Sequence, residues 1–402
     1  MGKILFINPG SEGHINPTIE VCKSLVDQGE EVVYYLSDIY ESKLANTGVE
    51  IRSLPIDSVV ESFTAYGNNN VLDVINGVLN TAHVMLPRIL NDIKHEHFDY
   101  VIYDSMFGCG YLIAQKLNIP AISSVTTFAK TKPLFDNFIT SIENQLDDSE
   151  VARSNQIFQS LKTDIETTYQ VQIPSRHEIM NNPGDLNISY IMQGFQHDVE
   201  QFNAQEFVFA GPSVHTPQPT EFMNKINTSR PVIYISLGTV FNENISFFNR
   251  CFAALKDLDV TVVVSIGTTN NLANFDDIPS NFIVESYVPQ IELLQHTDLF
   301  ITHAGMNSTN EAMMMDVPLL AFPQSADQPV VSHQIEQLGI GKKLDSATVT
   351  TTELKTTVTE MLTNLDYYKA NIAKIKQLQS TTKPGYQVAV EAILNFKKQY
   401  VH

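Results

Sequence analysis

The chain has 402 residues, of which 43% are hydrophobic and 17% charged, so it is long enough for two or three domains and is not intrinsically disordered. Its 25 basic and 45 acidic residues give a net charge of −20, which argues against a protein that binds mainly nucleic acid or anionic lipid. Residues 1–212 hold 12 basic and 27 acidic residues, and residues 213–402 hold 13 and 18. If one half binds a phosphate-bearing ligand, we expect it to be the less acidic second half.

Three cysteines, Cys22, Cys109 and Cys251, are too widely spaced to indicate a disulfide framework or a metal site. The first residues predict a buried strand rather than a signal peptide, and no apolar run reaches the length of a membrane span. We therefore expect a cytoplasmic protein without a membrane span.

The first half alternates short apolar runs with helical patterns. Strands are predicted at 3–8, 31–37, 49–55, 98–104, 121–128, 186–191 and 207–210. Helices are predicted at 16–28 and 71–95, and residues 129–185 are mostly helical and polar. Residues 211–231, rich in Pro, Ser and Thr, follow as an interdomain linker.

The alternation then restarts, with strands predicted at 231–238, 260–267, 281–288, 298–303 and 317–323. Helices are predicted at 245–257, 306–315, 326–338 and within 351–400. This order predicts an α/β fold of two Rossmann-like, doubly wound domains facing each other across a cleft. We expect an N-terminal domain at 1–211, a linker at 212–230, a C-terminal domain at 231–384, and a final helix at 385–402 that packs on the first domain.

Ligands of such sheets bind beyond the carboxyl ends of the strands, so the residues that follow each strand are the candidates for chemistry. His14 lies in a glycine-containing loop after the first strand, and Asp104 ends the strand at 98–104. An imidazole held by a carboxylate can act as a general base, whereas the alternative is that both residues cap the helices that follow them. On one edge of one sheet they form a plausible dyad.

The strongest local pattern is THAGMNSTNEA at 302–312. Gly305 allows a close approach of the backbone, and Asn307 and Ser308 open a helix whose N–H groups favour an anion. His303 adds a donor, and Glu311 could accept two ribose hydroxyls; the alternative is an ordinary strand, turn and helix. A second turn suited to a diphosphate is formed by Ser236, Gly238 and Thr239.

Two other patterns are weak. Asp38, after the second strand, could mimic the acid that binds a dinucleotide ribose, but the glycines of the first loop do not form the nicotinamide-binding motif. Asp257 and Asp259 have the DxD spacing of some metal-dependent sugar transferases, but this spacing occurs by chance in so acidic a chain.

Together these residues resemble the UDP-glycosyltransferases of family 1, most closely the bacterial macrolide-type members, which have the two-domain GT-B fold. The first family motif, GH-x-x-P, is present from Gly13 to Pro17. The donor signature is present as Tyr287-Val288-Pro289-Gln290, as the run from His303 to Glu311, and as Asp327-Gln328.

The resemblance implies His14 as the general base and Asp104 as its partner. It implies backbone contact of Val288 with uracil, and ribose binding by Gln290 and Glu311. Phosphate contacts are implied for His303, Gly305, Asn307 and Ser308, and sugar contacts for Asp327 and Gln328. The chain has no Trp, so the aromatic platform of plant members is replaced, with Tyr287 as the candidate, and the retained Glu311 favours UDP over dTDP.

The expected reaction is an inverting, metal-independent transfer of a hexose, with glucose favoured, from a UDP-sugar to a small hydrophobic hydroxylated acceptor such as a macrolide, phenol or flavonoid. We expect no cofactor, no nucleic acid partner and a monomer. An apolar acceptor lining is predicted from the first domain: Phe63, Tyr66, Met85, Met106, Phe107, Phe128, Phe135 and Phe138. Core packing is an equally good interpretation of each, and a nucleotide-sugar epimerase, a non-catalytic nucleotide-sugar sensor and a nicotinamide dehydrogenase remain alternatives.

Overall fold

The structure is a computed structural model that describes residues 2–67, 69–214, 219–238, 244–275, 277–379 and 381–400. Its contacts divide the chain into two compact units. Unit 1 comprises Met1–Ile191, Gln196–Ser213 and Lys383–His402, and unit 2 comprises Met192–Phe195 and Val214–Thr382.

Each unit is built on one parallel sheet. The strands of unit 1 are β1 (Lys3–Ile7), β2 (Glu31–Ser37), β3 (Glu50–Leu54), β4 (Tyr100–Asp104), β5 (Ala121–Val125), β6 (Leu186–Ser189) and β7 (Phe207–Phe209). The strands of unit 2 are β8 (Val232–Ser236), β9 (Thr261–Ser265), β10 (Phe282–Glu285), β11 (Leu299–Thr302), β12 (Leu319–Ala321) and β13 (Gly341–Lys343). Among the described residues the sheet orders are β3-β2-β1-β4-β5-β6-β7 and β10-β9-β8-β11-β12-β13.

Helices connect the strands of both sheets. Those up to residue 180 are α1 (Glu12–Ile15), α2 (Ile19–Asp27), α3 (Glu41–Leu44), α4 (Ile56–Thr64), α5 (Val71–Asp92), α6 (Cys109–Leu117), α7 (Lys132–Glu143), α8 (Asp148–Tyr169) and α9 (Arg176–Met180). The later ones are α10 (Ile245–Leu255), α11 (Gln290–Leu294), α12 (Met306–Met314), α13 (Gln328–Gln337), α14 (Thr351–Thr363), α15 (Leu365–Gln377) and α16 (Gly385–Tyr400). Short 3₁₀ helices lie at Asn16–Thr18, Asp38–Tyr40, Gln193–Phe195, Val199–Gln201, Glu221–Lys225 and Leu272–Asn274.

The sheet of unit 1 is buried on both faces, as expected for a parallel sheet covered by helices. Successive strand residues alternate between two cores: Leu5 and Tyr103 pack with α5, whereas Phe6 and Ile102 pack with α2 and α16. The apolar runs of the sequence are therefore strands that contribute side chains to two layers.

The prediction of helices within 129–185 is confirmed, since α7, α8 and α9 lie there. The prediction of a strand at 281–288 is too long, because β10 ends at Glu285. Strand β13 is not among the predicted strands, because its three residues Gly-Lys-Lys are too few and too polar to give a strand pattern.

In each unit, one segment is held by contacts with a part of the chain that is distant in sequence. Met192–Phe195 belongs to unit 2, where the Met192 N–H donates to Asn310 Oδ1 at 3.0 Å and Gln334 Nε2 donates to the Phe195 carbonyl at 3.1 Å. In unit 1, α16 packs on α2, and Lys397 Nζ lies 2.6 Å from Glu30 Oε1.

Across the described ranges, none of the helices has both the length and the apolar character that crossing a membrane requires.

Each sheet has one point where the strand order reverses, between β1 and β4 in unit 1 and between β8 and β11 in unit 2. The loops after such neighbouring strands diverge to opposite faces of the sheet and leave a crevice at its carboxyl edge. His14 follows β1 and Asp104 ends β4, while Ser236 ends β8 and His303 follows β11. The fold therefore places both predicted groups of residues at these two crevices.

Candidate active site

His14, predicted in a loop, lies in the one-turn helix α1, and Asn8 fixes the shape of the segment between β1 and that helix. Asn8 Nδ2 donates to the carbonyl of His14 and to the hydroxyl of Tyr34, both at 3.0 Å. The same hydroxyl lies 2.8 Å from Thr18 Oγ1, which in turn donates to the Ile15 carbonyl. Because Asn8 and Tyr34 are buried, this network fixes the backbone that carries His14.

His14 Nδ1 lies 2.7 Å from Asp104 Oδ2. The Asp104 side chain is fully buried, whereas that of His14 is 22% exposed. The second carboxylate oxygen of Asp104 accepts the Met106 N–H at 2.9 Å, so the carboxylate cannot rotate without losing a bond. A carboxylate at Nδ1 favours the tautomer with its proton there and leaves the lone pair on Nε2, as in hydrolase triads.

Thr126, which follows β5, is a third member of this group that the sequence analysis missed. Its Oγ1 lies 3.0 Å from His14 Nδ1. No motif identified it, because the contact depends on how a side chain just beyond the end of the strand is directed. The position of β5 beside β4 in the sheet was the one available signal.

The eight predicted acceptor residues lie in different surroundings within unit 1. Met85 and Phe135 are 2% exposed and lie in the core of unit 1, and Phe63, Tyr66 and Phe107 pack against that core. Phe138 is at the surface, with Lys130 Nζ 5.6 Å from its ring centre. Met106 and Phe128 border a cavity of about 270 Å³ in unit 1.

That cavity is also lined by residues of the segments after β5 and before β6. Val125 lines it, whereas Asp104 is the register partner of Ser124, so Asp104 and Val125 point to opposite faces of the sheet. The cavity therefore does not lie on the face from which Asp104 contacts His14.

In unit 2, the loop between β11 and α12 encloses the ring of His303. A Cβ at Gly305 would lie 2.4 Å from His303 Nε2, and one at Gly238 would lie 2.7 Å from it. Gly238 also has a φ of +80°, a left-handed conformation that favours glycine. Both glycines are needed because the imidazole occupies the space of their absent side chains.

Burial lowers the pKa of His303 to about 4, and a hydrogen bond to the backbone of Ser236 offsets part of this effect. Within the described part of the chain, its Nδ1 is buried and has no hydrogen-bond partner. At neutral pH the ring is thus uncharged and contributes a dipole rather than a positive charge.

Gly305 is the N-cap of α12, and it is extended, with a φ of −66° and a ψ of 142°. The first-turn N–H groups of Met306, Asn307 and Ser308 have no carbonyl four residues back within the helix. Together with the helix dipole, they form a site that favours an anion.

A polar cluster lies beside this helix. Gln290 Nε2 donates to Glu311 Oε2 at 2.5 Å and to Ser308 Oγ at 3.2 Å, and its Oε1 accepts from the Tyr234 hydroxyl at 3.0 Å. Burial raises the pKa of Glu311, and the hydrogen bond from Gln290 opposes that rise.

The remaining donor-site candidates are placed as follows. Tyr287 is 75% exposed, and Val288, beside it, is buried. Asp327 is the N-cap of α13, and the buried Gln328 accepts the N–H groups of Gln324 and Ser325 through its Oε1, at 2.8 and 3.1 Å. Thr239 lies outside the described residues.

The structure gives protein partners to Asp38 and Asp259, which belong to the two weak patterns. Asp38 Oδ1 accepts the N–H groups of Ile39 and Ile56 and so links the segment after β2 to the start of α4. Asp259 lies 3.6 Å from Arg230 in an exposed pair. Among the residues that the structure describes, no three His, Cys, Asp or Glu side chains are grouped as a metal ion would require.

The family model described as "UDP-glucoronosyl and UDP-glucosyl transferase" matches residues 152–384. The uncharacterized UDP-glucosyltransferase YojK of Bacillus subtilis (strain 168) is 34% identical over 99% of this chain and 98% of its own length. The oleandomycin glycosyltransferase of Streptomyces antibioticus is 24% identical over 88% of this chain and 82% of its own.

Among solved structures, the glycosyltransferase of kitacinnamycin superposes with a TM-score of 0.83 and covers 99% of this chain and 98% of its own. At 21% identity this similarity shows the fold, and it confirms the predicted GT-B class of two Rossmann-like domains.

Proposed function

The chain belongs to the UDP-glucoronosyl and UDP-glucosyl transferase family and is a glycosyltransferase of the bacterial macrolide type, and on this premise we propose that it transfers a hexose, with glucose expected, from a UDP-sugar to a hydroxyl of a small hydrophobic natural product. The proposal rests above all on the contact of 2.7 Å between His14 Nδ1 and the buried Asp104.

In the proposed reaction, His14 Nε2 accepts the proton of the acceptor hydroxyl while the oxygen attacks the anomeric carbon of the sugar. The new C–O bond forms opposite the bond to UDP, which breaks with its electron pair on the diphosphate. Asp104 stabilises the imidazolium that forms. A positioned base of this kind contributes about 10²–10⁴-fold to the rate.

The leaving diphosphate is bound by unit 2 in this proposal. Its charge is balanced by the first turn of α12 and by the neutral donor His303, since none of the residues assigned to the donor is Lys or Arg. This arrangement supports a transfer that requires no metal ion. Glu311 accepts the ribose hydroxyls, which favours UDP over dTDP.

The remaining donor assignments are carried by sequence likeness and placement. Val288 is buried and suited to contact uracil through its backbone, and the exposed Tyr287 offers a ring face in place of the absent Trp. Asp327, at the start of α13, is the proposed sugar-binding carboxylate. Gln328 shapes the loop that precedes it, because its amide oxygen holds two backbone N–H groups.

The test is the release of UDP from UDP-glucose, with and without phenols, flavonoids and macrolides, followed by NMR of the glycoside. We expect release that depends on the acceptor, a β-glucoside from the α-linked donor, and an unchanged rate after treatment with EDTA. An α-glucoside would contradict inversion. Tight donor binding without release across the panel would contradict transfer to these acceptors.

A further inference from the structure

The amide of Gln290 is fully engaged with protein groups. Both N–H groups are donated, to Glu311 Oε2 at 2.5 Å and to Ser308 Oγ at 3.2 Å, and the carbonyl oxygen accepts from Tyr234 at 3.0 Å. A glutamine amide has two N–H donors, so no donor is left for a ligand while these contacts persist.

Tyr234 is an anchor for this amide because the core of unit 2 fixes its ring. The ring is 2% exposed and stacks on Phe300, with centroids 4.6 Å apart and planes 7° from parallel. The two residues are register partners on β8 and β11, the central strands of the sheet. Burial raises the pKa of the Tyr234 hydroxyl, and its hydrogen bonds with the side chains of Ser236 and Ser265 oppose that rise. The hydroxyl stays protonated and donates to Gln290 Oε1.

The donated hydrogen bond determines which end of the amide faces Glu311. With Oε1 directed to Tyr234, Nε2 faces the carboxylate and forms a hydrogen bond to a charged acceptor, which is stronger than one between neutral groups. If the amide were turned around, its carbonyl oxygen would face the carboxylate oxygen, and the two would repel.

We propose that Tyr234 is a positioning residue that acts through Gln290 to orient the carboxylate of Glu311 toward the ribose hydroxyls of the donor nucleotide. Gln290 then acts on the nucleotide through Glu311 rather than as a ribose ligand, in contrast to the role that family resemblance implies. This inference rests on the proposed binding of a UDP-sugar.

The consequence is a defined effect on nucleotide selectivity. Glu311 Oε2 is occupied by Gln290, whereas Oε1 accepts no hydrogen bond from the described residues, so it is the oxygen suited to the ribose. A carboxylate that loses its support visits other rotamers and holds the ribose less well. Loss of the Tyr234 hydroxyl should therefore weaken the binding of UDP more than the binding of 2′-deoxy-UDP.

The experiment is a double-mutant cycle, in which calorimetry measures the Kd of UDP and 2′-deoxy-UDP for wild type, Tyr234→Phe, Glu311→Ala and the double variant. We expect Tyr234→Phe to raise the Kd of UDP about three- to tenfold, which corresponds to the loss of one hydrogen bond. The Kd of 2′-deoxy-UDP should rise by less. In the Glu311→Ala background, Tyr234→Phe should have no further effect, because the residue through which it acts is absent.

Tyr100→Phe is the matched control. Tyr100 is a buried tyrosine on β4 of unit 1, and its hydroxyl has no hydrogen-bond partner among the described residues. This variant should leave UDP affinity unchanged. Gln290→Ala provides a second route if Tyr234→Phe does not fold, and it should weaken UDP in wild type but not in the Glu311→Ala background.

Two results would overturn the inference while leaving the proposed function intact. One is equal weakening by Tyr234→Phe with and without Glu311. The other is loss of affinity on Gln290→Ala in the Glu311→Ala background, which would make Gln290 a direct ligand. Failure of the wild type to bind UDP would instead contradict the proposed function itself.

Discussion

Each unit carries a histidine soon after a central parallel strand, His14 in the one-turn helix α1 and His303 in the loop before α12, and their surroundings differ. His14 is 22% exposed and has a buried carboxylate 2.7 Å from Nδ1. His303 is packed against Gly238 and Gly305, and burial lowers its pKa to about 4. Two properties therefore distinguish the proposed base His14 from the proposed neutral donor His303. They are the group that faces Nδ1 and the degree of burial of the ring.

The largest effect on turnover is expected from removing the negative charge of Asp104, which faces His14 Nδ1. Asp104→Asn should lower acceptor-dependent transfer about 10²–10⁴-fold, because an amide N–H facing Nδ1 favours the tautomer that cannot accept a proton at Nε2. UDP-glucose affinity should be unchanged, since Asp104 belongs to unit 1. Steady-state rates and calorimetry measure the two quantities.

Asp73→Asn is the control for Asp104→Asn. Asp73 is also a fully buried carboxylate of unit 1, and it pairs with Arg153 at 2.7 Å. We expect this change to lower the melting temperature but not the turnover of the folded enzyme. An Asp104→Asn enzyme that kept more than a tenth of wild-type turnover would remove Asp104 from the mechanism.

A smaller effect is expected at His303. His303→Ala should weaken UDP-glucose about tenfold, and His303→Gln, which keeps a neutral N–H, should weaken it less. Because the pKa of His303 is about 4, its ring is uncharged at pH 5.5, 7.0 and 8.5, and the ratio between wild type and variants should be the same at each.

The pH dependence of UDP-glucose binding distinguishes a charged from a neutral ring at His303. A charged imidazolium would bind the diphosphate more tightly as the pH falls from 7.0 to 5.5, whereas a neutral ring would not. A wild-type affinity that rises over this range while that of His303→Gln stays flat would contradict the neutral donor. The lowered pKa also predicts that wild-type stability declines as the pH falls from about 6.5 toward 4, since the folded state resists protonation of the ring.

The smallest effect is expected from Thr126, whose hydroxyl lies 3.0 Å from His14 Nδ1. Thr126→Val should lower kcat about threefold, because it removes one of the contacts that hold the ring. Thr126→Ser, which keeps the hydroxyl, should stay close to wild type, and initial rates at saturating donor distinguish the two. Equal losses in both variants would indicate that packing of the methyl group matters rather than the hydrogen bond.

Sequence patterns locate the polar candidates of the site more narrowly than its apolar candidates. His14 and Asp104 follow strands on either side of a reversal in strand order, so topology alone brings their loops together. Met85 and Phe135 belong to apolar patterns that are the same for a core and for a ligand pocket, and the structure places both in the core. Periodicity identifies the buried face but not the space beyond it.

Sequence patterns do not predict side-chain contacts between distant parts of the chain. Thr126 is 112 residues from His14, and Met192 is 118 residues from Asn310, so no local spacing marks either pair. The donor signature identifies Gln290, but the hydroxyl that orients its amide belongs to Tyr234, on a strand whose pattern indicates only a buried core.

The most direct test of the central claim compares His14→Ala with wild type in one experiment, measuring UDP-glucose affinity by calorimetry and acceptor-dependent UDP release by a coupled assay. If His14 is the base, release falls about 10²–10⁴-fold while the Kd of UDP-glucose is unchanged. Release that persists within tenfold of wild type, with donor affinity intact, would contradict the assignment of His14 as the base.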